Sequence, residues 1–148
     1  MDSDDRLVFF RFFNEIGIIS QLSRSAMEAR LPKGLTLPHF SVVNHLIRVR
    51  DGQTPLALAR AFQVPKTTMT HTLSGLLDQG MVEMRPNPKD GRSKTVWLTD
   101  KGRSFREDAI VALDPDMMAL ADHFSSEQLQ KALPLLEEIR KFMDAYRD

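Results

Sequence analysis

The segment from Arg6 to about Ala29 constrains this chain more than any other. It contains no proline, and Leu7, Val8, Phe9, Phe10, Phe12, Phe13, Ile16, Ile18, Ile19 and Leu22 nearly encircle the first turns of the helix it predicts. A helix that is apolar all round must be buried, and a chain of 148 residues has too little core of its own to surround it. The economical solution is a second copy of the chain. The last predicted helix, from Ser125 to Tyr146, repeats the theme with Leu129, Leu133, Leu136, Ile139, Phe142, Met143 and Tyr146 at helical spacing. Ser125 and Gln128 form a capping-box pattern at its start, and Pro134 is expected to kink it unless it begins later.

Between these two helices the pattern changes twice. A helix beginning near Pro38 runs to Arg50 and stops at Asp51-Gly52, with Phe40, Val43, Leu46 and Ile47 facing inward. Thr54-Pro55 caps and opens a short helix that Val64-Pro65 closes, and Lys66 to Gln79 forms another, ended by Gly80. Two short helices across a tight turn make a helix-turn-helix. The period then shifts to that of strands at Val82 to Arg85 and Thr95 to Leu98, on either side of the turn-rich run Pro86 to Arg92. Thr99 caps a further helix to about Phe124, kinked or broken near Asp114-Pro115.

Charge is distributed to match. The 20 basic and 20 acidic residues cancel overall, but residues 55–103 carry 8 basic and 4 acidic side chains, whereas residues 104–148 carry 5 and 10. A +4 middle and a −5 tail suit a protein that presents one face to phosphates and keeps another away from them. On the helix from Lys66, the residues Met69, Leu73, Leu76 and Leu77 fall on one side at 100° per residue. Lys66, Thr67, Thr68, Thr70, His71 and Ser74 lie on the remainder, without a carboxylate. Such a surface fits the major groove, where hydroxyls and imidazole meet phosphates and base edges; the competing reading is an ordinary solvated face. In the hairpin tip, Lys89, Arg92 and Lys94 surround Asp90. Arginine on a projecting loop is suited to the electronegative minor groove, with Asp90 bracing its guanidinium by a bidentate pair; the alternative is a weak surface ion pair.

The runs Leu35-Thr36-Leu37-Pro38-His39-Phe40-Ser41-Val42-Val43, Leu58 to Phe62, Thr68-Met69-Thr70, Leu76 to Glu83, Asp90-Gly91-Arg92 and Leu98-Thr99-Asp100-Lys101-Gly102 together resemble the MarR family in order and spacing. The resemblance implies a mainly α fold with a small β-hairpin wing. It divides the chain into a winged helix-turn-helix lobe at 35–103 and a helical dimerisation region at 1–34 and 104–148. It further implies a homodimer with interleaved terminal helices on a pseudo-palindromic operator of double-stranded DNA, and a repressor relieved by a small, often aromatic and anionic, effector. Phe9, Phe13, His39 and Phe40 are the expected lining of an effector cleft. Family members often carry arginine where this chain has His71, which shortens the reach and makes the charge depend on pH.

Other classes fit poorly. The chain has no cysteine, which excludes disulfides, thiolate metal sites and the cysteine redox switch of some relatives. His39, His45, His71 and His123 lack metal-ligand spacing, so neither a metal nor a cofactor is expected. No nucleophile motif or phosphate-cradling glycine loop points to an enzyme. The acidic start Met1-Asp2-Ser3-Asp4-Asp5 and the absence of a long apolar span point to a cytoplasmic protein without a membrane partner. A winged helix that only binds protein would keep the core pattern but has no need of Arg92 or the basic middle.

The apolar terminal helices lead to an obligate dimer. Light scattering at micromolar concentration is expected to give twice the chain mass, and a soluble monomer there would refute the pairing.

Overall fold

The structure is a computed structural model that describes residues 1–147. It contains α1 (Ser3–Arg30), α2 (Leu37–Arg48), α3 (Pro55–Phe62), α4 (Lys66–Asp78), β1 (Val82–Pro86), β2 (Lys94–Leu98), α5 (Asp100–Val111), α6 (Asp114–Ala121) and α7 (Ser126–Tyr146). Two compact units result, Met1–Leu113 and Asp114–Asp148. The fold is mainly helical with one antiparallel hairpin, as the sequence predicts. No helix among the described residues is long and apolar enough to cross a membrane.

In the first unit the core forms where α2, α3 and α4 meet. Leu46, Leu58, Leu73 and Leu76 are essentially inaccessible, with Val42, Val43 and Val96 filling between them. Each such leucine contributes about 1.5–3 kcal/mol through burial, so this cluster fixes α4 against its neighbours. Thr54 caps α3, its Oγ1 accepting from the Ala57 amide at 3.2 Å, and Pro55 occupies the first helical position. Gln63 ends that helix in the left-handed region at φ 53°. Its amide donates to the carbonyls of Ala59 and Arg60, which satisfies two helix-end acceptors and sets the turn into α4.

The hairpin pairs Val82 with Leu98 through to Pro86 with Lys94. A third partner, absent from the sequence reading, joins it. Gln53 bridges to Val96, whose amide donates to the Gln53 carbonyl at 2.8 Å while its own carbonyl accepts from Gly52 at 3.0 Å. Asp51 Oδ1 accepts from the Leu98 amide, and Oδ2 from Arg103 at 3.3 Å. The Asp51-Gly52 segment thus ends α2 and also sews the wing to the helical core.

α4 and the hairpin are joined at a second seam. Thr99 Oγ1 accepts from the Gly102 amide as the cap of α5 and donates to the Gly80 carbonyl at 2.6 Å. Gly102 lies so close to the turn that a Cβ there would stand 2.2 Å from the Met81 carbonyl oxygen. Lys101 Nζ donates to the Gln79 carbonyl at 2.6 Å.

The helix from Asp100 is broken where expected, α5 ending at Val111 and α6 beginning at Asp114 with Pro115 in its first turn. α7 starts at Ser126 and continues through Pro134. Leu77, expected on the core side of α4, is 39% exposed, because Thr72 and Leu73 take the inward positions beside Met69 and Leu76. Within the described chain no residue of α1 is buried, and Phe9, Phe10 and Leu22 are more than half exposed. The apolar side of α7 is similarly open at Leu129, Phe142 and Tyr146.

Gly102→Ala is expected to destabilise the protein by about 1–3 kcal/mol, since the new methyl must push the turn carbonyl away. Gly91→Ala, where a Cβ would meet nothing within 4 Å, is expected to leave the urea midpoint unchanged. Equal midpoints for both variants would show that the seam is loose.

Candidate nucleic-acid interface

Burial of Met69, Thr72, Leu73 and Leu76 determines which side of α4 is left outside. Lys66, Thr67, Thr68, Thr70, His71 and Ser74 are all exposed there, so the structure brings the six expected residues of this helix onto its open surface. Thr70 Oγ1 donates to the Lys66 carbonyl at 2.9 Å, which ties down its proton and leaves the oxygen able to accept. Thr72 makes the same bond to Thr68 at 3.2 Å from the buried side. The exposed surface of α4 carries no carboxylate from Lys66 to Leu77.

The wing tip is built by short local bonds. Asn87 Nδ2 donates to Ser93 Oγ at 2.9 Å, Asn87 Oδ1 accepts from the Lys89 amide at 3.1 Å, and the Ser93 amide donates to the Asp90 carbonyl at 3.2 Å. Lys89, Arg92 and Lys94 are exposed around this knot. Asp90 departs from expectation. Its Oδ1 accepts from the Arg92 backbone amide at 3.0 Å, and no ion pair joins the two side chains among the described residues. In a tight turn the amide two residues on is nearer than the end of a long side chain, so the carboxylate shapes the loop and leaves the guanidinium outward.

On the outer side of the hairpin, Arg85 lies over the Trp97 ring with its guanidinium carbon 4.4 Å from the centroid, and it also pairs with Glu83. The contact is worth about 0.5–1 kcal/mol at an exposed site. It spends a cation that charge counting alone assigns to nucleic acid.

His39 has a role that the sequence reading missed. Its Nδ1 accepts from the Thr36 amide at 2.9 Å, closing the start of α2. The ring reaches α4 at Gly75, where a Cβ would stand 2.5 Å from Nε2. A glycine inside an otherwise regular helix was the available signal, because it costs helix stability unless something packs against it. Burial, and then repulsion from His71, hold the His39 pKa below the ordinary histidine value.

The expected effector residues are dispersed. Phe9 and Phe13 are exposed on α1, while Phe40 packs edge-on against Phe105 with centroids 6.3 Å apart. None of the four lines the three clefts of the first unit described by their wall residues: one along Gly17 to Glu28 and Pro38, one between Arg24, Phe62 and Thr72, and one between Arg30, Gln79 and Phe105. His45 is engaged within the fold, its ring 5.2 Å from that of Phe62.

Residues 33–93 match the model of the MarR family, a segment that runs from within the α1–α2 loop to the wing. The chain is 25% identical over 117 residues to the HTH-type transcriptional repressor YetL of Bacillus subtilis (strain 168), covering 78% of this chain and 70% of that one. A MarR transcriptional regulator from Methanosarcina mazei Go1 superposes with a TM-score of 0.74 at 23% identity, over 88% of this chain and 94% of the other. Wild-type MarR from E. coli, in its apo form, gives 0.72 at 24% identity over 85% and 93%. The fold is therefore that of MarR winged-helix proteins, and the similar proteins are transcription regulators, not enzymes.

The position of His39 has a consequence for stability. Its folded-state pKa is lowered, so as pH falls below about 6.5 the unfolded chain takes up the proton first and stability is lost until the folded-state value is passed. The drop in melting temperature between about pH 7.5 and about pH 5 is expected to be smaller in H39Q than in wild type. An identical drop in both would place the proton elsewhere.

Proposed function

We infer that this chain, a MarR-family protein by the match of its residues 33–93 and by its fold, is a sequence-specific regulator of transcription that binds double-stranded DNA as a homodimer. The observation that carries this reading is the exposed, carboxylate-free surface of α4 at Lys66, Thr67, Thr68, Thr70, His71 and Ser74, on the helix sewn to a wing whose tip presents Lys89, Arg92 and Lys94. α4 enters the major groove, where hydroxyl and imidazole groups discriminate base edges. The wing lies along the backbone and reaches the adjacent minor groove through Arg92. Asp90 acts indirectly, by holding the loop that aims it.

Two lobes related by a two-fold axis read half-sites about 10 base pairs apart or a multiple of that, which makes the operator pseudo-palindromic. The likeness to a repressor supports repression as the mode of action, and a DNA target is consistent with a cytoplasmic location. Control by a small-molecule effector fits the same reading. Phe9, Phe13, His39 and Phe40 remain its proposed contacts in a cleft that the dimer completes, and a ligand there must favour a lobe spacing that does not match DNA.

The two parts of the interface contribute different kinds of energy. Arg92→Ala is expected to weaken binding to a selected operator and to scrambled duplex alike, with a salt slope shallower by up to about 2 units per dimer. Asp90→Ala is expected to act in the same direction and more weakly. His71→Ala or Thr70→Ala is expected to cost about 1–3 kcal/mol at the operator and much less on scrambled DNA, with little change in slope. The measurement is a salt titration of binding to both duplexes. Wild-type behaviour of Arg92→Ala at every salt concentration would remove the wing from the interface.

A further inference from the structure

His39 and His71 are brought together by a missing side chain. His71 and Gly75 are four residues apart on α4 and so share one side of it. The His39 ring, from the first turn of α2, fills the gap that Gly75 leaves, with its Nε2 edge toward the glycine. The other edge of the ring fixes its tautomer. Nδ1 accepts from the Thr36 amide at 2.9 Å, and a backbone N–H can only donate, so the neutral ring carries its hydrogen on Nε2. Thr36 Oγ1 stands 3.0 Å from the same nitrogen.

A second proton on this ring has two consequences. Nδ1 could no longer accept, so the start of α2 would lose its cap, and a positive charge would stand near His71. The other charged groups around this end of α2 are Lys33 in the loop before it, Arg24 and Glu28 on α1 and Asp78 on α4, while Arg106 of α5 donates to Asn44. Burial, and then the charge of His71, resist protonation of the His39 ring.

We propose that His39 is a positioning residue for His71: seated neutral in the Gly75 gap, it keeps a like charge away and leaves His71 able to take up the proton with which it donates to a guanine. The proposal rests on the DNA reading above and adds a proton to it. An imidazolium donates from both nitrogens, and guanine offers N7 and O6 as acceptors in the major groove. The exposed surface of α4 has no carboxylate from Lys66 to Leu77 to hold that proton, so its partner comes from the DNA. Operator preference is therefore linked to pH. His71 sets the rise on acidification, and His39 sets the limit at which the rise ends.

Two measurements test this. Imidazole 15N–1H NMR of the free full-length protein needs no DNA. It is expected to show His39 as the Nε2–H tautomer near neutral pH, and its titration is expected to move to higher pH in H71N, where the neighbouring charge is gone. The second measurement is the ratio of affinities for a selected operator and a scrambled duplex at fixed salt, which divides out the general attraction of a more cationic protein for phosphates. In wild type the ratio is expected to rise about tenfold from about pH 8 to about pH 6 and to fall again toward about pH 5. H71N is expected to remove the rise. H39Q, whose amide oxygen can accept from Thr36 but cannot charge, is expected to keep the rise and remove the fall. The proposal is overturned if neutral His39 carries its hydrogen on Nδ1, if H71N leaves the His39 titration in place, or if wild type and H39Q share one pH profile. If no duplex binds at any pH, the DNA reading and the guanine contact fall together, while the NMR arm separately decides whether the two rings are coupled.

Discussion

The arrangement depends on the seam at Gly80-Met81. There the cap of α5 is also a clamp, because Thr99 Oγ1 accepts from Gly102 and donates to Gly80 in the same few ångströms. Gly102 allows the helix to approach so closely because no Cβ intervenes. The pattern Leu98-Thr99-Asp100-Lys101-Gly102 is thus a physical device. It fixes the direction in which the hairpin leaves α4, and hence the relation between the surface of α4 and the wing tip. Asp51 and Gln53 hold the other side of the hairpin, so two independent sets of bonds determine the wing's orientation.

A second constraint acts through what the chain does not bury. α2, α3 and α4 form a dense core, whereas α1 and α7 have no buried residue of their own. A helix that exposes Phe9, Phe10 and Leu22 around its circumference is too apolar to remain in water in a stable protein. The proposed dimerisation would cover these residues and supply the two-fold symmetry that a palindromic site requires.

Much of this was legible in the sequence because its strongest signals are local. Thr54-Pro55, Thr99 and Ser125 mark helix starts through cap chemistry, and Asn87 to Arg92 marks a turn through composition. What the sequence hid depends on distance along the chain. Gln53 meets Val96 only after the fold is made, and nothing at residue 53 announces it. Asp90 and Arg92 illustrate another limit, since residue types suggested an ion pair while the turn geometry made the backbone amide the better partner. Leu77 shows that a helical wheel blurs at the edges of its stripe. His39 was singled out for a ligand, yet its ring closes α2 and rests against Gly75 of α4, a link between helices that no short pattern reveals.

The central claim is that α4 reads bases from the major groove while the wing holds the flanking minor groove. Selection of bound duplexes from a random library, followed by interference footprinting, tests it most directly. The expected result is an enriched, two-fold symmetric site. Methylation at guanine N7 should block binding in two half-sites about 10 base pairs apart or a multiple of that, and modification of the minor groove should block it in the sequence beside each. No enrichment, or a footprint without symmetry and without major-groove interference, would contradict it.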